Sequence, residues 1–139
     1  MSAQPEYFLD TAFAIALASK SDVFHQDAIE LAQSLKTTRA RLVTTRAVLL
    51  EIGNALSKQR YREGAVTLLG ALEADPQVHI ISLTNQLYHE ALVLFQARPD
   101  KEWGLTDCVS FVVMQQMNIT DALTTDDHFR QAGFRVLLA

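Results

Sequence analysis

Short apolar runs alternate along this chain with longer stretches in which apolar residues recur at helical spacing. Tyr7-Phe8-Leu9 is a brief apolar run that stops at Asp10-Thr11, which predicts a buried first strand with Asp10 at its carboxyl end. Ala12 to Ala18 is apolar and alanine-rich and predicts a short helix, broken by Ser19-Lys20-Ser21-Asp22. From His25 to Leu35 the residues Ala28, Leu31, Ala32 and Leu35 share one helical face. Arg41 to Thr45 predicts a second strand, and Val48, Leu49, Ile52, Ala55 and Leu56 carry a helix to about Lys58. Glu63 to Glu73 is a further amphipathic helix built on Val66, Leu69 and Leu72, ended by Asp75-Pro76. Val78 to Leu83 predicts a third strand rich in β-branched residues, and Thr84 caps a helix through Ala97. After the polar loop Arg98 to Glu102, Leu105 to Met117 predicts a helix and Ile119 to Thr124 a fourth strand. His128 to Ala132 reads as one turn of helix ended by Gly133, and Phe134 to Leu138 as a last strand. Strands that alternate with helices predict an α/β fold, a parallel sheet with helices on both faces. In such sheets ligands bind outside the carboxyl ends of the strands.

This pattern sends four acids to one rim. From Asp107 to Met117 a helix runs about 15 Å one way at about 1.5 Å per residue, and the following strand returns a similar length. Asp107 and Asp126 should therefore finish near each other. Asp10 follows the first strand directly. Glu51 lies one turn into its helix, and helical side chains lean toward the helix N-terminus, so it reaches back toward the second strand. Each acid has a plain structural alternative, as a helix cap, a first-turn anion or an exposed helix residue. Capping does not require four caps on one edge. Two carboxylates at 4 Å repel by roughly 4 kcal/mol at an effective dielectric near 20, so their convergence asks for a cation. Oxygen-only ligands, without histidine or thiolate, suit a hard ion, Mg²⁺ or Mn²⁺, and the chemistry implied is phosphodiester hydrolysis by a cation-activated water. Thr11 and Thr125 are candidate supporting hydroxyls. Asp121, Asp127 and His128 are weaker candidates, His128 reading first as a hydrogen-bonded helix residue.

With 139 residues, 49% apolar and 20% charged, the chain is expected to form a single domain over residues 1–139. It contains no apolar run long enough to span a membrane, and MSAQPEYFLD lacks the basic-then-apolar order of a secretory signal. A single cysteine, Cys108, fits a reducing cytoplasm and reads as a buried small residue. The net charge of −4 argues against a general nucleic-acid coat protein, yet permits a nuclease whose acids are grouped. Lys36, Arg39, Arg41 and Arg46 form one basic group and Lys58, Arg60 and Arg62 another. Both read as solvated helix rims, and Arg46 and Arg39 are nearest in chain order to steer a substrate backbone.

Four segments, FLDTAFAIAL, TTRAVLLEIGNAL, WGLTDCVSFVVM and ALTTDDHFRQAGF, resemble the four motifs of PIN-domain ribonucleases, in particular the bacterial VapC-type toxins. The resemblance spans nearly the whole chain in the correct order. It implies a Rossmann-like sheet of about five parallel strands, order 3-2-1-4-5, and Mg²⁺- or Mn²⁺-dependent cleavage of RNA. Carried over, its acids are Asp10, Glu51, Asp107 and Asp126. It further implies a homodimer and a small antitoxin whose tail blocks the acidic pocket. The alternatives are an inactive PIN-like module that binds RNA or protein, a nuclease of RNA processing, and an enzyme acting on DNA ends. A phosphate receiver fits poorly, because no lysine follows Lys101.

Overall fold

The computed structural model describes residues 4–138. Five strands, β1 (Glu6–Leu9), β2 (Arg41–Thr45), β3 (Val78–Ile81), β4 (Asp121–Leu123) and β5 (Arg135–Val136), form one parallel sheet of order β3-β2-β1-β4-β5. The order matches the expectation. β1 is central, with Phe8 opposite Val43 on one side and Ala122 on the other. Among the described residues seven helices connect the strands: α1 (Thr11–Ala18), α2 (His25–Thr37), α3 (Arg46–Ala55), α4 (Gln59–Ala74), α5 (Asn85–Ala97), α6 (Leu105–Gln116) and α7 (Asp127–Gln131). α1 packs against α2, α3 and α4, while α6 packs against α5 and α7. Right-handed crossovers put these two groups on opposite faces. α3 and α6 nevertheless touch, and these are the helices that carry Glu51 and Asp107.

The apolar runs account for the core. Phe8, Leu9, Val43, Ala122 and Leu123 are essentially inaccessible, as are Phe13, Ile52, Phe111, Met114 and Phe129. A fully buried side chain of this size contributes roughly 1.5–3 kcal/mol. Phe111 meets Trp103 and Phe129 edge-on, each at 5.0 Å between ring centroids, and the Trp103 indole N–H donates to Gln131 at 3.0 Å. These contacts lock α6 to α7, and so fix Asp107 relative to Asp126. Cys108 is buried, as expected.

Several boundaries differ from those the pattern suggests. α4 begins at Gln59, four residues before the expected Glu63, because its first turn is exposed on every side and carries no apolar period. α3 stops at Ala55, short of Lys58. β4 and β5 are shorter than their apolar runs. Ile119 belongs to the exit of α6, its N–H bonding to the Met114 carbonyl at 2.9 Å, with Asn118 in the left-handed region at φ 56°. Thr84 and Thr45 cap α5 and α3 through their hydroxyls.

Candidate active site

All five strands end at one edge, and the acids are set there by local geometry. Asp10 follows β1 and occupies the N-cap position of α1, yet its side chain caps nothing. Its carboxylate is only 4% exposed and accepts from the Thr124 hydroxyl at 2.7 Å. The same Thr124 oxygen accepts the Asp126 N–H at 3.0 Å, a turn in which a threonine hydroxyl bonds the backbone two residues on. Thr44 ties β2 to the end of β1 by donating to the Leu9 carbonyl at 2.8 Å. The central strands are thus stitched together at the level of Asp10.

Asp107 and Asp126 both act as caps. Asp107 accepts the Gly104 N–H at 3.1 Å, half of a capping box that glycine, lacking a side chain, leaves incomplete. Asp126 accepts the His128 N–H at 2.9 Å. The structural alternative holds for these two, but it does not exhaust them. The ring Nδ1 of His128 lies 3.1 Å from Asp107 Oδ2 and 3.5 Å from Asp126 Oδ1, so the imidazole N–H fills the space between two carboxylates. Asp107, Asp126 and His128 offer ligand atoms all within 4.8 Å of one another.

Burial pushes the Asp10 carboxyl up to about 7 from an ordinary 3.8; the Thr124 bond opposes the rise, and the Asp107 and Glu51 charges add to it. The Asp107 carboxyl is also raised, mainly by burial, with the Asp126 charge adding and the Gly104 and His128 bonds opposing. Among the described residues no lysine or arginine pairs with Asp10, Glu51, Asp107 or Asp126. A buried carboxylate without a compensating cation is costly. The Thr11 hydroxyl, adjacent to Asp10, is buried and has no hydrogen-bond partner. The donor set, with an orphaned hydroxyl beside it, therefore fits a divalent cation. Glu51 lines a cleft of about 270 Å³ with Asn54, Leu83, Tyr88 and Thr106; Asp10, Asp107 and Asp126 do not line it.

The structure brings Asp107 and Asp126 together with His128; Asp10 and Glu51 are not part of that cluster, but the Asp107 and Glu51 charges act on Asp10. It does not bring Arg39 there. Arg39 precedes β2 and so lies at the amino edge of the sheet, with φ 55°; position in the chain beside a strand says nothing of which end it occupies. Arg46 does follow β2, but it pairs with Glu73. Asp121 is held by Arg135 at the start of β4, and Asp127 pairs with Arg130 on the surface. The hydroxyl that reaches the acids belongs to Thr124, one residue before the expected Thr125. Its signal in the sequence was the Thr-x-Asp spacing of Thr124 and Asp126. His128 is the second residue underweighted there, since a histidine two places after a capping aspartate looks like an ordinary helix residue.

The PIN domain family profile matches residues 7–135. This chain is a PIN domain. The 23S rRNA-specific endonuclease VapC20 of Mycobacterium tuberculosis is 28% identical over 127 residues, 91% of this chain and 94% of that protein. The crystal structure of VapC20, described as a sarcin-ricin loop cleaving toxin, superposes with a TM-score of 0.83 at 27% identity, covering 92% of this PIN domain and 95% of that chain. VapBC2 from Rickettsia felis, solved bound to a promoter DNA fragment, gives a TM-score of 0.71 at 16% identity, over 95% of this chain and 97% of its own; at that identity the likeness concerns the fold. No helix among the described residues is long and apolar enough to cross a membrane.

Proposed function

We propose that this PIN domain is a divalent-metal-dependent endoribonuclease of the VapC type, the toxin of a toxin–antitoxin pair, acting in the cytoplasm as a homodimer. The observation that carries the reading is the Asp10 carboxylate, buried at the carboxyl edge beside two other acids with no arginine or lysine to balance it. The VapC20 likeness, spread over nearly the full length of both chains, supports RNA as the substrate and the role of a toxin.

Asp10, Asp107, Asp126 and Glu51 would hold Mg²⁺ or Mn²⁺, which supplies Lewis-acid polarisation of a phosphodiester and lowers the pKa of water. The protein's own part is orientation. Thr124 fixes Asp10 and, through the Asp126 N–H, the turn that carries Asp126. Gly104 and His128 fix Asp107. Thr11 offers a spare hydroxyl for a hydrogen bond at the same depth. Such preorganisation confines the charge of the reaction to groups that need not move. The test is RNA cleavage by purified protein with Mn²⁺ or Mg²⁺ against EDTA. Wild type should cleave only with metal, and Asp10→Asn should lower cleavage about a thousandfold while keeping the fold by circular dichroism. Cleavage at the wild-type rate by Asp10→Asn, in a preparation free of contaminating nuclease, would defeat the assignment.

A further inference from the structure

The acids at the carboxyl edge repel a polyanion, so an RNA nuclease with this site needs cations elsewhere. The ion pairs narrow the choice. Arg41, Arg46, Arg98, Arg130 and Arg135 are each paired with an acid. Arg39 and Lys36 lie at the amino edge, before β2, and Lys20 and Lys101 stand singly on two separate loops, between α1 and α2 and between α5 and α6. Lys58 stands on the turn between α3 and α4, and Arg60 and Arg62 in the first turn of α4, all exposed and none within ion-pair distance of an acid among the described residues. Arg60 lies over the ring of Tyr61 at 4.7 Å, and that ring is 42% exposed. Arg62 donates twice to the Ser57 carbonyl, at 2.6 and 3.1 Å, and so braces the turn.

The placement is poor for stability. Lys58 is the N-cap of α4, Arg60 and Arg62 follow within its first turn, and that turn contains no acid and no side-chain cap. Cations there oppose the helix dipole. A cluster that works against its own helix invites an external anion, and an exposed tyrosine among cations suits a nucleic acid, whose bases stack on aromatic rings while phosphates meet the charges. The turn is also within reach. Glu51 sits on the preceding helix, and the Lys58 Cα lies within about 17 Å of the Glu51 Cα by chain geometry.

We infer that Lys58, Arg60 and Tyr61 form a docking surface for the RNA backbone beside the acidic pocket, with Arg62 as its brace. The inference rests on the ribonuclease reading, and it replaces Arg39 and Arg46 as the residues that steer the substrate. It is tested on the full chain with Lys58→Gln/Arg60→Gln and a charge-preserving control, Lys58→Arg/Arg60→Lys. Binding of a fluorescein-labelled RNA stem–loop is followed by anisotropy in EDTA across a salt series, which needs no cleavage. The neutral variant should bind roughly tenfold more weakly, with a salt slope smaller by about 1.4 to 1.8, and the control should keep both. With metal present, the KM for long RNA should rise while kcat and the hydrolysis of a dinucleotide stay unchanged. Its melting temperature should not fall, since the lost charges oppose the dipole. Unchanged affinity and slope overturn the surface even if the wild type cleaves RNA. Loss of binding to a purified antitoxin with RNA binding intact also overturns it. Absence of cleavage by the wild type, with the anisotropy difference present, counts against the nuclease and leaves the surface standing.

Discussion

The two edges of the same sheet treat their acids in opposite ways. At the amino edge Glu6 opens β1 and pairs with Arg41, which opens β2, at 3.5 Å. Asp121 opens β4 and binds Arg135 of β5 through both carboxylate oxygens, at 2.8 and 2.9 Å. Each of these two acids has its arginine on the neighbouring strand. At the carboxyl edge Asp10, Asp107 and Asp126 meet threonine, backbone N–H and imidazole groups instead. Hydrogen-bond donors hold a carboxylate in place without cancelling its charge. At the amino edge arginines balance these acids within the sheet, and at the carboxyl edge no arginine or lysine among the described residues does so.

That contrast can be broken first through pH and metal. Asp10 titrates near 7 in the folded protein against 3.8 ordinarily, and Asp107 is shifted the same way. A folded pKa above the unfolded one contributes stability that is fully present below the unfolded value and is lost as pH rises through the folded value. Metal-free protein should therefore melt lower near about pH 8 than near about pH 5. Saturating Mn²⁺ should recover the loss at the higher pH and do little at the lower, because protons and metal compete for the same oxygens. At a hundred times its dissociation constant the ion stabilises by about 2.7 kcal/mol, a shift of several degrees by calorimetry. A melting temperature that does not respond to metal at either pH would remove the difference between the edges.

Thr124→Val probes the donors that hold the charge. Leaving the Asp126 N–H and one Asp10 oxygen without partners should cost about 1–3 kcal/mol. Cleavage should fall roughly tenfold in kcat, since Asp10 and Asp126 lose their orientation; an unchanged kcat would mean that Thr124 serves only the fold. At the other edge Arg135→Gln should leave cleavage at the wild-type rate and shift the melting temperature little, because that pair is exposed. The smallest effect belongs to Arg39→Gly. With φ at 55°, glycine relieves a backbone conformation that costs a side-chain-bearing residue about 1–2 kcal/mol, partly offset by unfolded-state entropy. The variant should be slightly more stable by denaturant titration and bind RNA as well as wild type.

The elements were legible where burial imposes a period. Phe8, Val43 and Leu123 mark strands, and Val109, Val113 and Ile52 mark helix faces, because inaccessible positions must repeat with the local geometry. The strand order was not readable from such residues and came with the PIN resemblance. The first turn of α4 was invisible because nothing in it packs inward. At the site, acids could be placed from the ends of strands, since an edge is a property of topology. The role of Thr124 was hidden, because its hydroxyl joins residues 114 positions apart and only the folded sheet makes them neighbours. Arg39 was misplaced for the converse reason: adjacency in chain order carried no information about the end of the strand.

The bond between Thr124 and Asp10 also sets when the pocket comes into being. One partner is made in the opening turn of synthesis and the other only after α6 has emerged, and β1 and β4 must first lie side by side. A ribosome that has translated as far as α5 displays Asp10 and Glu51, without Asp107, Asp126 or the hydroxyl that holds Asp10 in line. The pocket therefore stays incomplete until nearly all of the sheet has been delivered.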